Sequence, residues 1–235
     1  VKTSVVALSI ATGLALCACL ASDGYAAPSR GIVVKDKGGK EVGLYAESHA
    51  LIVGVSKYEH WPELPGVNTD VAAVKAALEK GGFEVEVAMD VDQEGMRKAF
   101  NDFIDRYGHE QDNRLLFYYA GHGHTLTFKD GREMGYIVPR DAPNPNKDRE
   151  GFLKKAMNMK SIEVMAENIE SKHALFLFDS CFSGSIFAMS RAVPEHITYK
   201  TSKPVRQFIT AGAADETVPD KSVFRKQFVA ALSGE

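Results

Sequence analysis

Cysteine is scarce in this chain: three occur in 235 residues. Two of them, Cys17 and Cys19, fall inside an apolar N-terminal stretch. Basic excess is missing as well. With 28 Lys and Arg against 31 Asp and Glu, the formal net charge is −3, which argues against a nucleic-acid footprint because nothing is left over to neutralise phosphates. No run of like charges is long enough to form an interaction tail. Against these absences stands an ordinary globular composition, 45% hydrophobic and 25% charged, with enough length for one domain around one sizeable core.

The one long hydrophobic run is terminal. Lys2 precedes an apolar stretch from Val5 to Leu20, followed by small residues at Gly24, Ala26 and Ala27. A positive end, a core short for a bilayer and a small-residue exit describe an export signal over residues 1–26, cleaved after Ala26. An uncleaved membrane anchor is the alternative. A third reading comes from Leu16-Cys17-Ala18-Cys19, which loosely matches a lipoprotein box with Cys19 as the lipidated residue, although Cys17 fits that box poorly. The expectation is therefore an exported protein, periplasmic or secreted, with a lipid-anchored envelope protein as second choice. Cleavage after Ala26 leaves Cys181 alone, so no internal disulfide can form. A solitary thiol is either a small buried hydrophobe or a working group; its neighbours decide which.

Beyond Pro28–Arg30, residues 30–235 alternate between strand and helix patterns. Ile32–Val34 and Glu41–Leu44 flank Gly38-Gly39 as a short hairpin. His49–Val55 is a nearly unbroken apolar run, the mark of a strand covered on both faces. Val67, Val71, Val74 and Leu78 give one helix face, ending at Gly81-Gly82. Phe83–Val87 is a half-exposed strand. Asp92 caps a helix bearing Met96, Phe100, Phe103 and Tyr107. Leu115–Tyr119 and Ala174–Phe178 are two more buried strands, with a helix capped by Ser161 between them. Gln207–Ala211 and a helix carrying Phe224, Phe228 and Leu232 complete the pattern. The alternation predicts an α/β fold with a mostly parallel central sheet and helices on both faces. His124–Lys160 and Ser185–Pro204 are expected to be long irregular segments. The sequence stops inside an expected helix, as a truncated domain would.

Two reactive residues occupy matching places. His122 and Cys181 each lie just beyond an apolar strand, and parallel sheets bind ligands beyond the carboxyl ends of their strands. A free thiol has a pKa of about 8.5, so an imidazole that takes its proton makes it a nucleophile at neutral pH. Gly121 and Gly123 strip the flanks of His122, which would let a substrate backbone approach. Backbone N–H groups beside the two residues could hold a tetrahedral oxyanion, each donor contributing roughly 3 kcal/mol.

Tyr118-Tyr119-Ala120-Gly121-His122-Gly123 and Asp179-Ser180-Cys181-Phe182-Ser183-Gly184 resemble the two signature blocks of caspase-like cysteine peptidases, metacaspases and their bacterial relatives above all. The resemblance runs from about Ala50 to Leu232 and implies a caspase-like α/β/α sandwich. It implies that Cys181 attacks a scissile carbonyl, that His122 assists proton transfer, and that the amides of Gly123 and Cys181 form the oxyanion hole. It also implies that Asp179, with Asp70 in Asn68-Thr69-Asp70, binds an Arg or Lys side chain, where animal caspases carry Gln-Ala-Cys and accept aspartate. Two carboxylates gain charge-assisted hydrogen bonds from a guanidinium. The substrate would be a polypeptide cut after Arg or Lys.

The sequence departs from metacaspases in carrying Phe182 where they usually have His. No metal ligand set is expected and no cofactor is required. For calcium activation there is no clear acidic cluster: Asp130, Glu133, Asp141 and Asp148 are scattered. His109, His173 and His196 lack metal spacing, and His124 beside His122 lacks a third ligand. Arg149, Lys154 and Lys155 lie where self-processing would fall if that segment were an exposed loop. Trp61 reads as a cover for apolar surface. The competing functions are a catalytically silent caspase-like module that binds or regulates partners, and another acyl-transfer enzyme using the same thiol.

Overall fold

The computed structural model describes residues 32–35, 41–180, 204–211 and 222–234. The expected export signal and the segment Ser185–Lys203 lie outside the described residues. Among the described residues no helix is long and apolar enough to cross a membrane.

The described residues open with an antiparallel pair, β1 (Ile32–Lys35) and β2 (Glu41–Tyr45). There follow β3 (Ser48–Gly54), α1 (Gly66–Lys80), β4 (Glu84–Met89), α2 (Gln93–Tyr107) and β5 (Arg114–Ala120). Then come β6 (Gly123–Thr127), β7 (Glu133–Ile137), α3 (Arg149–Lys155), β8 (Met157–Asn158) and α4 (Met159–Glu167). The described chain ends with β9 (His173–Asp179), β10 (Val205–Thr210) and α5 (Val223–Ser233). Among the described residues five strands form the central sheet in the order β10-β9-β5-β3-β4, every pair parallel.

The apolar runs of β3, β5 and β9 divide by the two-residue period of a strand. Leu51, Val53, Leu115, Phe117, Tyr119, Phe176 and Phe178 pack against α2 and α4. Ala50, Ile52, Leu116, Tyr118, Ala120 and Leu177 pack against α1, with Phe224 and Phe228 of α5 beside them. Each such burial is worth roughly 1.5–3 kcal/mol, so a slip of one residue in any central strand would exchange its two faces and is strongly resisted. Helices thus cover both faces, as the alternation implied.

Two expectations change. The segment from His124 to Lys160 is not irregular: β6, β7 and β8 make a small antiparallel sheet, with α3 laid against it. Its core is Leu126, Tyr136, Val138, Ala142, Phe152 and Ala156. The helix α4 begins earlier than Ser161; Asn158 is its cap, its side-chain oxygen accepting from the Ser161 N–H at 2.8 Å.

Candidate active site

The strand order turns back between β3 and β5: the chain leaves β3 for the β4 edge, then returns past it to β5, β9 and β10. Crevices open beyond the carboxyl ends at such a reversal. Ala120 ends β5 and lies in register with Asp179, the end of β9. These are the residues two positions before His122 and Cys181. The strands carrying the two reactive residues are therefore neighbours, as the sequence reading required. Cys181 itself lies outside the described residues.

The main chain at His122 is held by two tyrosines. Its N–H donates to the Tyr58 hydroxyl at 2.7 Å, and its carbonyl accepts from the Tyr119 hydroxyl at 2.8 Å. Tyr119 is fully buried on β5, and its oxygen also accepts from the Val138 N–H at 3.2 Å, tying the loop to the strand end of β7. Burial pushes the Tyr58 and Tyr119 hydroxyls far above their ordinary pKa, so both stay protonated. Gly121 is needed for this arrangement. A Cβ there would stand 2.7 Å from both tyrosine oxygens.

The imidazole sits between rings. Its centroid is 4.7 Å from Tyr58 and 5.3 Å from Trp61. Its Nε2 lies 2.9 Å from the Pro62 carbonyl oxygen. A carbonyl only accepts, so this bond fixes the proton on Nε2 and leaves Nδ1 with a free lone pair. Burial lowers the His122 pKa, the Pro62 carbonyl opposing it in part, so the ring is neutral at neutral pH. A neutral ring with a defined acceptor nitrogen is what a thiol's proton requires. Trp61 is itself anchored, donating from Nε1 to the Ala142 carbonyl at 3.0 Å and packing on Phe152. It does more than cover apolar surface: it forms one wall of the His122 site.

The acidic pair comes together on the α1/α5 side of the sheet. Asp179 shares the strand face of Leu177, and Asp70 falls in the buried stripe of α1 between Val67 and Val71. Asp70 is thus beyond the first turn and buried by packing, not a solvated acid at the helix start. Asp179 Oδ2 accepts from the Tyr118 hydroxyl at 2.7 Å and from Ser222 Oγ at 2.5 Å. Its Oδ1 is buried with no partner among the described residues. Burial raises the Asp179 pKa; its two hydrogen bonds pull the other way, and the nearby Asp70 charge adds to the rise. Asp70 accepts from Arg225 Nε at 2.8 Å, a contact between residues far apart in sequence.

Gly123 stays next to His122 at the strand end, whereas Asp130, Asp141 and Asp148 are engaged separately. Gly123 opens β6 opposite Ile137. Asp130 pairs with Arg132, Asp141 with Lys155 and the Gln93 N–H, and Asp148 caps α3 through the Gly151 N–H. No three His, Cys, Asp or Glu side chains converge on a metal position among the described residues. His124 packs edge-on against Trp61 and Phe152. Arg149, Lys154 and Lys155 belong to helix α3, with Lys154 on Glu150 and Arg149 over the Phe128 ring. They do not form the exposed loop that self-processing there would need. Sequence reasoning missed Tyr58, Pro62, Ser222 and Arg225, and it gave Trp61 only a covering role. Tyr58, Trp61 and Pro62 follow β3 at the same rim, which is the only signal that marked them.

A family model described as the caspase domain matches residues 47–233. Human mucosa-associated lymphoid tissue lymphoma translocation protein 1 is 28% identical over 143 residues, covering 59% of this chain. The homologue from Mus musculus matches at the same identity over the same length. The aligned segment spans only 15% of the length of these relatives. Among solved structures, caspase-1 from Spodoptera frugiperda superposes with a TM-score of 0.53 at 14% identity, over 80% of this chain and 69% of that one, a likeness of fold. The caspase-like architecture, the match over most of the chain and the two signature blocks agree: the chain belongs to the caspase-domain family of peptidases.

Proposed function

We propose that this chain is a cysteine endopeptidase that cleaves after Arg or Lys, with His122 and Cys181 as its catalytic pair. The observation that carries the reading is the register of Ala120 with Asp179, which supports one edge serving both the imidazole and the acidic pocket. In the first step the Cys181 sulfur attacks the scissile carbonyl carbon while the thiol proton passes to His122 Nδ1. The amides of Gly123 and Cys181 receive the oxyanion. Collapse of the tetrahedral intermediate breaks the C–N bond, and the imidazolium returns its proton to the leaving amine. Water then hydrolyses the thioester, again with the imidazole as base. Asp70 and Asp179 select the basic P1 side chain; the buried Oδ1 of Asp179, without a partner among the described residues, supports this, because a buried acceptor without a donor is costly until a ligand supplies one. The protein is proposed to act outside the cytoplasm after export through residues 1–26.

The test is hydrolysis of fluorogenic peptides with Arg, Lys or Asp at P1, by the parent chain and by Cys181→Ala, with and without calcium. Cleavage after Arg and Lys should fall by about a thousandfold or more in Cys181→Ala. A preference for Asp at P1 would refute the specificity. Folded parent protein that cleaves nothing under either condition would instead indicate the silent binding module. A calcium-dependent rate would add an activating ion to the reading.

A further inference from the structure

We propose that Arg225 is an internal occupant of the acidic pocket and competes with the basic side chain of the substrate for Asp70; this rests on Asp70 and Asp179 being the P1 pocket. Arg225 donates from Nε to Asp70 Oδ1 at 2.8 Å, with the Asp70 side chain 8% exposed and that of Arg225 20%. A guanidinium already stands on one of the two carboxylates meant to recognise a guanidinium or ammonium.

Its placement is set from inside α5. Ser222 caps this helix by accepting from the Arg225 N–H at 2.9 Å, and the same hydroxyl donates to Asp179 Oδ2. Ser222 and Arg225 are three residues apart and therefore face the same way on the helix. One turn of α5 serves both acids, a hydroxyl for Asp179 and a cation for Asp70. The two acids are not treated alike: Asp70 receives the internal cation, while Oδ1 of Asp179 has no partner among the described residues.

The exchange is chemically near balance. A substrate guanidinium would make with Asp70 the same kind of charge-assisted bond that Arg225 now makes. Two cations on one carboxylate repel, so an entering Arg or Lys drives Arg225 off Asp70 or gives up that contact. The helix permits such a shift. No residue of α5 itself is buried, and Val223 beside its cap is 53% exposed. Affinity for a basic side chain is then reduced by the fraction of molecules in which Arg225 holds the pocket.

Agmatine, a guanidinium amine without a scissile bond, is the probe, and calorimetric titration into the full Cys181→Ala chain reads binding apart from turnover. Adding Arg225→Met should tighten agmatine binding about tenfold, as expected if the pair is formed roughly nine-tenths of the time. Adding Asp70→Asn to that variant should abolish the gain. Arg225→Gln, which keeps a donor but no charge, should fall between and guards against a misfolded Met variant; thermal melts establish that each is folded. On the active chain, Arg225→Met should lower KM for Arg and Lys peptides. Unchanged or weaker agmatine binding in both variants, with cleavage after Arg and Lys intact, overturns the competition and leaves the specificity standing. Agmatine bound by no variant, together with no preference for Arg or Lys, overturns both.

Discussion

Asp179 is a carboxyl group buried beside another carboxylate, and burial raises its pKa above the ordinary value. A folded-state pKa above the unfolded one means the native state binds the proton more tightly. Its contribution to stability is complete below the unfolded pKa of about 3.9 and is lost as pH rises through the folded pKa. Asp179→Asn keeps an oxygen for Tyr118 and Ser222 and cannot ionise. Its melting temperature relative to the parent should therefore rise as pH is increased from 4 to 7, whatever the constant offset between the two proteins. A difference that is flat or falls over that range refutes the account. If Asp179 binds the P1 side chain as proposed, the same substitution should remove cleavage after Arg and Lys, and the group that costs stability would be the one that recognises substrate. At this scale Asp179, Asp70 and His122 could be named as candidates in the sequence because each stands in or next to a stretch that resembles the caspase-like pattern. Arg225 could not, since its partner is 155 residues away and nothing local marks a cation on a helix as paired.

The central strands and their helices were legible for the reason that fixes them: continuous apolar runs and 3.6-residue stripes survive in the sequence whatever their partners. The antiparallel layer β6–β8 was not. Its strands are short, β8 spans two residues, and the apolar residues recur at no fixed period. They make a core only once Phe152 of α3 closes over Tyr136, Trp61 and His124. That core backs the wall of the His122 site, so on the proposed reading the element acts on catalysis from behind. Phe152 is fully buried, and Phe152→Ala should cost about 3–5 kcal/mol. Measured at a temperature where the variant is still folded, kcat/KM should also fall by about tenfold or more, because Trp61 loses its support and the imidazole its fixed position. Lost stability with full kcat/KM would mean that the layer holds itself together and does not position His122.

Across the whole molecule, rigidity and recognition are assigned to different layers. The proposed chemistry stands at the ends of β5 and β9, central strands whose residues pack on both faces. The proposed recognition of the P1 side chain draws on α5, which lies against α1 but has no buried residue of its own. Local opening takes its free energy from how much is buried, and segments that must shift for a ligand come from the weakly held end of that range. The register of the sheet explains how both layers meet: Asp179 belongs to β9 yet points to the α1/α5 side, because Leu177 does. Native-state hydrogen exchange should therefore find amides of α5 opening roughly a hundredfold more often than those of β5, without global unfolding. Agmatine bound to the Cys181→Ala chain should change exchange in α5 while leaving β5 as it was. If α5 is protected as strongly as β5, the helix is part of the rigid frame. Arg225 could then leave Asp70 only by a change of its own rotamer, and the pocket would be gated by one side chain rather than by a loosely held element.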